Sequence, residues 1–108
     1  MIPDDKVLQK IVAAIIGAAV SCELVVLFGS GARGQMNENS DLDLLVVLSG
    51  RPLAGYRDEL LQQLVKITPR IDLVVVSYDE FQAKKNEPDD IVGTAFDTGK
   101  TLYPRLPA

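Results

Sequence analysis

Three short apolar runs, at residues 24–28, 41–48 and 71–76, alternate along the chain with segments whose apolar residues recur every three or four positions. The first such segment follows Pro3-Asp4-Asp5, acidic residues where a helix dipole favours them. From there Val7 or Leu8, then Ile11, Val12, Ile15, Ile16 and Ala19 keep one helical face, predicting a well-buried helix over 4–20. Residues 24–28 are rich in branched side chains and end at Gly29, which predicts a strand buried on both faces or nearly so. Residues 29–34, GSGARG, are too glycine-rich for an independent helix, with one turn possible after Ser30. Residues 35–40 are polar loop.

The second strand, 41–48, stops at Ser49-Gly50 and Pro52. Over 56–67 the pattern is helical again, with Leu60, Leu61, Leu64 and Val65 on one side and Arg57, Glu59 and Gln62 largely off it; Pro69 closes it. The third strand is 71–76. Ser77 with Glu80 three residues on is a capping box for a short helix to about residue 85. After an acidic break at 87–90, a last helix over 90–98 ends at Gly99, and 101–103 can add an edge strand before Pro104.

The connections set the topology. No helix long enough for a crossover separates the first two strands, so they pair antiparallel. A helix does separate the second from the third, so they pair parallel. The expected fold is α/β (α+β): one domain, 1–108, with a small mixed sheet of three to four strands and helices mainly on one face.

Composition narrows the chemistry. A chain of 108 residues has room for one core. Its net charge of −4 argues against broad electrostatic capture of nucleic acid, so no direct nucleic-acid binding is expected. Cys22 is the single cysteine, which permits no internal disulfide and suits a reducing compartment; its simplest reading is a small buried apolar residue. Histidine is absent, which removes histidine bases, histidine-activated nucleophiles and histidine metal ligands together. The apolar run 11–20 is far short of the ~20 residues of a membrane span and lacks a basic leader, so a cytoplasmic protein is expected.

One spacing asks for chemistry: Gly29-Ser30, ten intervening residues, then Asp41-Leu42-Asp43 opening the second strand. Residues i and i+2 of a strand share a face about 6.5–7 Å apart, so Asp41 and Asp43 direct two carboxylates into one space. If the third strand is a neighbour, Asp72 at its start joins them. Carboxylates so close repel unless a cation sits among them, and oxygen-only ligands favour Mg²⁺ or Mn²⁺. Two such ions about 3.5–4 Å apart serve in-line transfer at phosphorus. Gly29 and Gly31 let backbone approach a phosphate, Ser30 and the following N–H groups can hold its oxygens, and Arg33 adds a forked cation. Each feature has a plainer alternative: a turn-capping Asp, a flexible turn, a strand-edge Asp72, or Arg33 paired with Glu38 or Asp41. Their joint order carries the argument.

Those residues, Gly29-Ser30-Gly31-Ala32-Arg33-Gly34, Ser40-Asp41-Leu42-Asp43-Leu44 and Ile71-Asp72-Leu73, resemble the nucleotidyltransferase superfamily related to DNA polymerase beta. More narrowly they resemble the small stand-alone minimal nucleotidyltransferases (MNT), over nearly the whole chain. The resemblance implies that Asp41, Asp43 and Asp72 bind two Mg²⁺ ions, with Asp72 also the base toward an attacking hydroxyl. It implies that Gly29 and Ser30 grip nucleotide phosphates, and that a nucleoside monophosphate moves from an NTP to a hydroxyl as pyrophosphate leaves. MNT proteins resemble antitoxins that add AMP from ATP to a tyrosine of a HEPN-domain RNase toxin, so a HEPN partner is expected. This chain is not the toxin half, whose RNase motif needs a histidine.

Strands apolar on both faces exceed what helices on one side can cover, so an exposed patch covered by a second subunit, a HEPN partner, or both is expected, making a homo- or hetero-oligomer. Two other classes compete. One is a non-catalytic module that neutralises a toxin by masking it. The other, an aspartate phosphotransfer or phosphatase domain, has no use for the Gly-Ser turn upstream of the aspartates.

Overall fold

Leu42–Leu48 is the strand on which the fold is assembled, and six of its seven side chains are buried, so both its faces are covered. The computed structural model describes residues 5–18, 22–29, 42–50, 55–68 and 70–104. Its elements run α1 (Asp5–Ala18), β1 (Cys22–Phe28), β2 (Leu42–Leu48), α2 (Tyr56–Leu64), β3 (Ile71–Ser77), α3 (Tyr78–Lys84), α4 (Ile91–Thr98) and β4 (Lys100–Tyr103). The sheet order is β3-β2-β1-β4. β1 is antiparallel to both β2 and β4, and β2 is parallel to β3 through the α2 crossover, as the connection lengths predict.

Side-chain alternation along the strands divides the core in two. Val25, Leu27, Leu42, Leu44, Val46, Leu48 and Leu73 turn to one face, where Leu8, Ile11 and Ile15 of α1 and Leu60 and Leu64 of α2 pack on them. Val26, Leu45, Val47 and Val76 turn to the other, under Phe81 of α3 and Val92 and Ala95 of α4. The described helices therefore divide two and two between the faces, where the sequence reading gathered them mainly on one. The reason lies in the two short C-terminal helices, which supply the few large apolar side chains the second face needs. Phe81 and Phe96 join those helices edge to face, ring centroids 5.1 Å apart.

Local chemistry fixes where these short helices start. Ser77 Oγ accepts the Glu80 N–H at 3.2 Å, and Asp90 Oδ1 accepts the Val92 N–H at 2.8 Å. Lys84 closes the arrangement, its Nζ donating to Glu80 Oε1 at 3.0 Å and lying 4.0 Å from Asp90 Oδ2.

Among the described residues both faces of the sheet are therefore covered from within, α1 and α2 on one and α3 and α4 on the other. Among the described residues the large apolar side chains left exposed are Ile16, Val65, Tyr78, Ile91 and Phe96, spread over four segments. Among the described residues no helix is long and apolar enough to cross a membrane.

Candidate active site

β1 ends at Phe28, and Gly29 turns the chain with φ +73°. Only glycine takes that conformation without strain. A second constraint acts at the same point: a Cβ on Gly29 would collide with Asp43 Oδ2. The antiparallel register brings them together, since Phe28 is the partner of Asp43 across β1 and β2. The carboxylate of Asp43 thus lies over the bare backbone of the turn.

The parallel register supplies the second acid. Asp43 is the partner of Asp72 across β2 and β3, so the two residues sit level on strands about 4.8 Å apart. Leu42 and Leu44 face α1 and α2; Asp43 and Asp72, one residue out of phase, turn to the face that Leu45 and Val76 share with α3 and α4. The start of the parallel pair is fixed by backbone, Leu42 N–H donating to Arg70 O at 2.9 Å. The sequence spacing predicts that Asp72 reaches the second strand's aspartates, and the register brings it to Asp43. Asp41, Ser30, Gly31 and Arg33 lie outside the described residues.

Asp72 is held by a residue the sequence reading left out. Its Oδ1 accepts from Arg57 Nη2 at 3.1 Å and from the Leu73 N–H at 3.0 Å. Arg57 Nε donates to Leu73 O at 2.8 Å, and its Nη1 lies 3.6 Å from Asp58 Oδ1. The guanidinium grips one residue by its carboxylate and the next by its carbonyl. A signal was present in the sequence: a cation in the first turn of a helix opposes the helix dipole, so Arg57 in that place calls for a specific anionic partner.

The donor set fits a hard divalent cation. Asp43 and Asp72 offer carboxylate oxygens from adjacent strands, and no sulfur or imidazole competes there. Among the described residues no three acidic, cysteine or histidine side chains cluster, so the pair can form a full site only with a further ligand. Cys22 is at the far end of the sheet, opposite Leu48. Burial pushes its thiol up, against a weak contact of Sγ to Leu24 O, which disfavours a thiolate nucleophile.

A mixed sheet with an antiparallel pair feeding a parallel one, a glycine turn at the first strand end and aspartates level on the next two is the architecture of a nucleotidyltransferase. Sequence comparison agrees: the nucleotidyltransferase domain model matches residues 10–102, and the chain belongs to that family. No curated protein matches the chain.

Solved structures are similar over most of its length. A chain of a toxin–antitoxin complex with AMP-PNP superposes with a TM-score of 0.70 at 25% identity, covering 89% of this chain and 72% of that one. A candidate nucleotidyltransferase from Sulfolobus solfataricus gives 0.56 at 26% identity, covering 72% and 70%. The complex of a tri-AMPylated Shewanella oneidensis HEPN toxin with its MNT antitoxin gives 0.61 at 20% identity, covering 92% and 71%, a likeness of fold.

Proposed function

We propose that this nucleotidyltransferase moves AMP from ATP to a tyrosine hydroxyl of a HEPN-type RNase toxin and so acts as its antitoxin. The observation that carries the reading is the register that sets Asp43 level with Asp72 on one face, beside the Gly29 turn. Support for ATP and for a toxin acceptor comes from the relatives, one solved with AMP-PNP and one with an AMPylated HEPN toxin.

In this reading Asp41 and Asp43 hold divalent cations, Mg²⁺ or Mn²⁺, with Asp72 completing the set. Gly29, Ser30 and Arg33 hold the nucleotide phosphates. The cations supply charge neutralisation at the phosphate oxygens. The acceptor oxygen attacks the α-phosphorus, the bond from that phosphorus to the β-bridging oxygen breaks, and pyrophosphate leaves. The hydroxyl proton passes to Asp72, whose exposed carboxylate is open to an acceptor from outside the domain. Gly29 keeps the Asp43 carboxylate against the turn.

The test is incubation with α-labelled ATP and Mg²⁺, with and without the protein encoded beside it, following label into protein. Transfer that needs Asp43 and Asp72 supports the reading. Full toxin neutralisation by an Asp41→Asn/Asp43→Asn variant would sink the enzymatic account and leave masking by direct binding.

A further inference from the structure

We propose that Arg57 is a positioning residue for nucleotidyl transfer: it fixes Asp72 so that one carboxylate oxygen is spent on the protein and the other is presented to the reaction. The inference rests on Asp72 taking part in transfer.

The geometry is a three-point lock. Arg57 Nη2 and the Leu73 N–H both bond Asp72 Oδ1, at 3.1 and 3.0 Å, while Arg57 Nε bonds Leu73 O at 2.8 Å. Oδ2 takes no hydrogen bond among the described residues, so the lock selects which oxygen remains for cation or hydroxyl. An aspartate on an exposed strand end otherwise samples several rotamers, and the side chain here is 60% exposed. Burial does not hold it; Arg57 and the Leu73 N–H do.

The bond to Leu73 O sets this arginine apart from what a lysine could do in its place. Two donors on one rigid plane reach the carbonyl and the carboxylate together, which an ammonium on a flexible stem does not reproduce. The contact joins α2 to the outer edge of β3, so the start of the crossover helix and the acid it precedes move as one body. An attached anchor of this kind pays off in transfer geometry more than in stability, because a half-exposed ion pair contributes little to folding.

The experiment is a double-mutant cycle on the full chain, with transfer of labelled AMP to its acceptor as one readout. Arg57→Ala is expected to lower kcat about 10–100-fold, with KM for ATP changed less than about threefold. Arg57→Lys restores the charge and is expected to recover only a minor part. In the Asp72→Asn background Arg57→Ala is expected to cost nothing further, because the oxygen it positions is gone. Mn²⁺ titration by calorimetry supplies a readout free of turnover: Arg57→Ala is expected to leave affinity within about threefold of wild type or to tighten it, since the guanidinium repels a cation beside Asp72. Thermal melts confirm that each variant folds.

Equal losses from Arg57→Ala in the wild-type and Asp72→Asn backgrounds would overturn the proposal. So would a tenfold rise in KM for ATP, which makes Arg57 a phosphate ligand, or full recovery by lysine. An Asp72→Asn variant with undiminished transfer would instead overturn the assignment of Asp72, and that of Arg57 with it.

Discussion

Gly29 and Asp43 share one volume: the space a side chain at position 29 would fill is taken by the carboxylate of Asp43. The turn and the acid are therefore a single construction, made by the register that sets Phe28 opposite Asp43. Gly55 offers the contrast within the same molecule. It too has positive φ, +83°, yet a Cβ there meets nothing within 4 Å.

That contrast gives a prediction. Gly29→Ala and Gly55→Ala each force an L-residue into the left-handed region, at about 1–2 kcal/mol, so both should lower Tm by at least ~4–8 °C. Only Gly29→Ala also displaces Asp43. Its transfer activity should fall at least tenfold further than that of Gly55→Ala when both are assayed well below their melting points. Equal activities would show that the carboxylate tolerates being moved.

The two-sided core gives a second. Leu44 and Leu45 are adjacent, fully buried, and on opposite faces. Leu44→Ala and Leu45→Ala should each destabilise by about 2–5 kcal/mol in urea titrations. A cost below about 0.5 kcal/mol for Leu45→Ala, the size expected of a surface site, would mean that α3 and α4 do not seal the second face.

These cases mark how far the sequence could be read. Strand identity and direction were legible, because loop length and helix placement leave few ways to connect 24–28, 41–48 and 71–76. The distribution of helices was not, because the pattern of a short helix such as Tyr78–Lys84 says that it has a buried side without saying which sheet face it meets. At the candidate site, the placement of Asp43 level with Asp72 was legible through spacing and strand period. Arg57 was hidden, since its partners lie 15 and 16 positions away and depend on how α2 crosses the edge of β3. Tertiary pairing of that kind leaves only an indirect trace, here a cation at the wrong end of a helix.

Titration of the far end of the sheet gives a third prediction. Burial pushes the Tyr56 phenol up, with a contribution from the Cys22 thiolate as it forms, and burial likewise pushes Cys22 up. Both groups bind their protons more tightly folded than unfolded, so their stabilisation is complete below the unfolded values and is lost as pH rises through the folded ones. With unfolded values near about 8.5 for the thiol and 10 for the phenol, stability should decline above pH ~8.5. Cys22→Ala should flatten the lower part of that decline and Tyr56→Phe the upper part, measured by urea unfolding between neutral and alkaline pH. At neutral pH Tyr56→Phe should be neutral or stabilising, because the hydroxyl is buried with no hydrogen-bond partner among the described residues. A loss above about 1 kcal/mol there, the net worth of a typical hydrogen bond, would reveal a partner for it.

The caps of α3 and α4 give the last. α3 has seven residues and α4 eight, too short to persist without tertiary packing, so their starting geometry decides whether Phe81, Val92 and Ala95 reach the sheet. Ser77→Ala removes the acceptor for the Glu80 N–H and Asp90→Ala that for the Val92 N–H. Each should cost about 0.5–2 kcal/mol. The cost should survive high salt for Ser77→Ala, since a hydroxyl cap carries no charge to screen. For Asp90→Ala a small part should fade with salt, because Asp90 also faces Lys84 at 4.0 Å across solvent-exposed surface. Transfer activity should hold in both variants, because Asp43 and Asp72 are fixed by strand register and by Arg57, not by the caps. Loss of transfer in Ser77→Ala at a temperature where the variant remains folded would place α3 in the working site and not merely in the core.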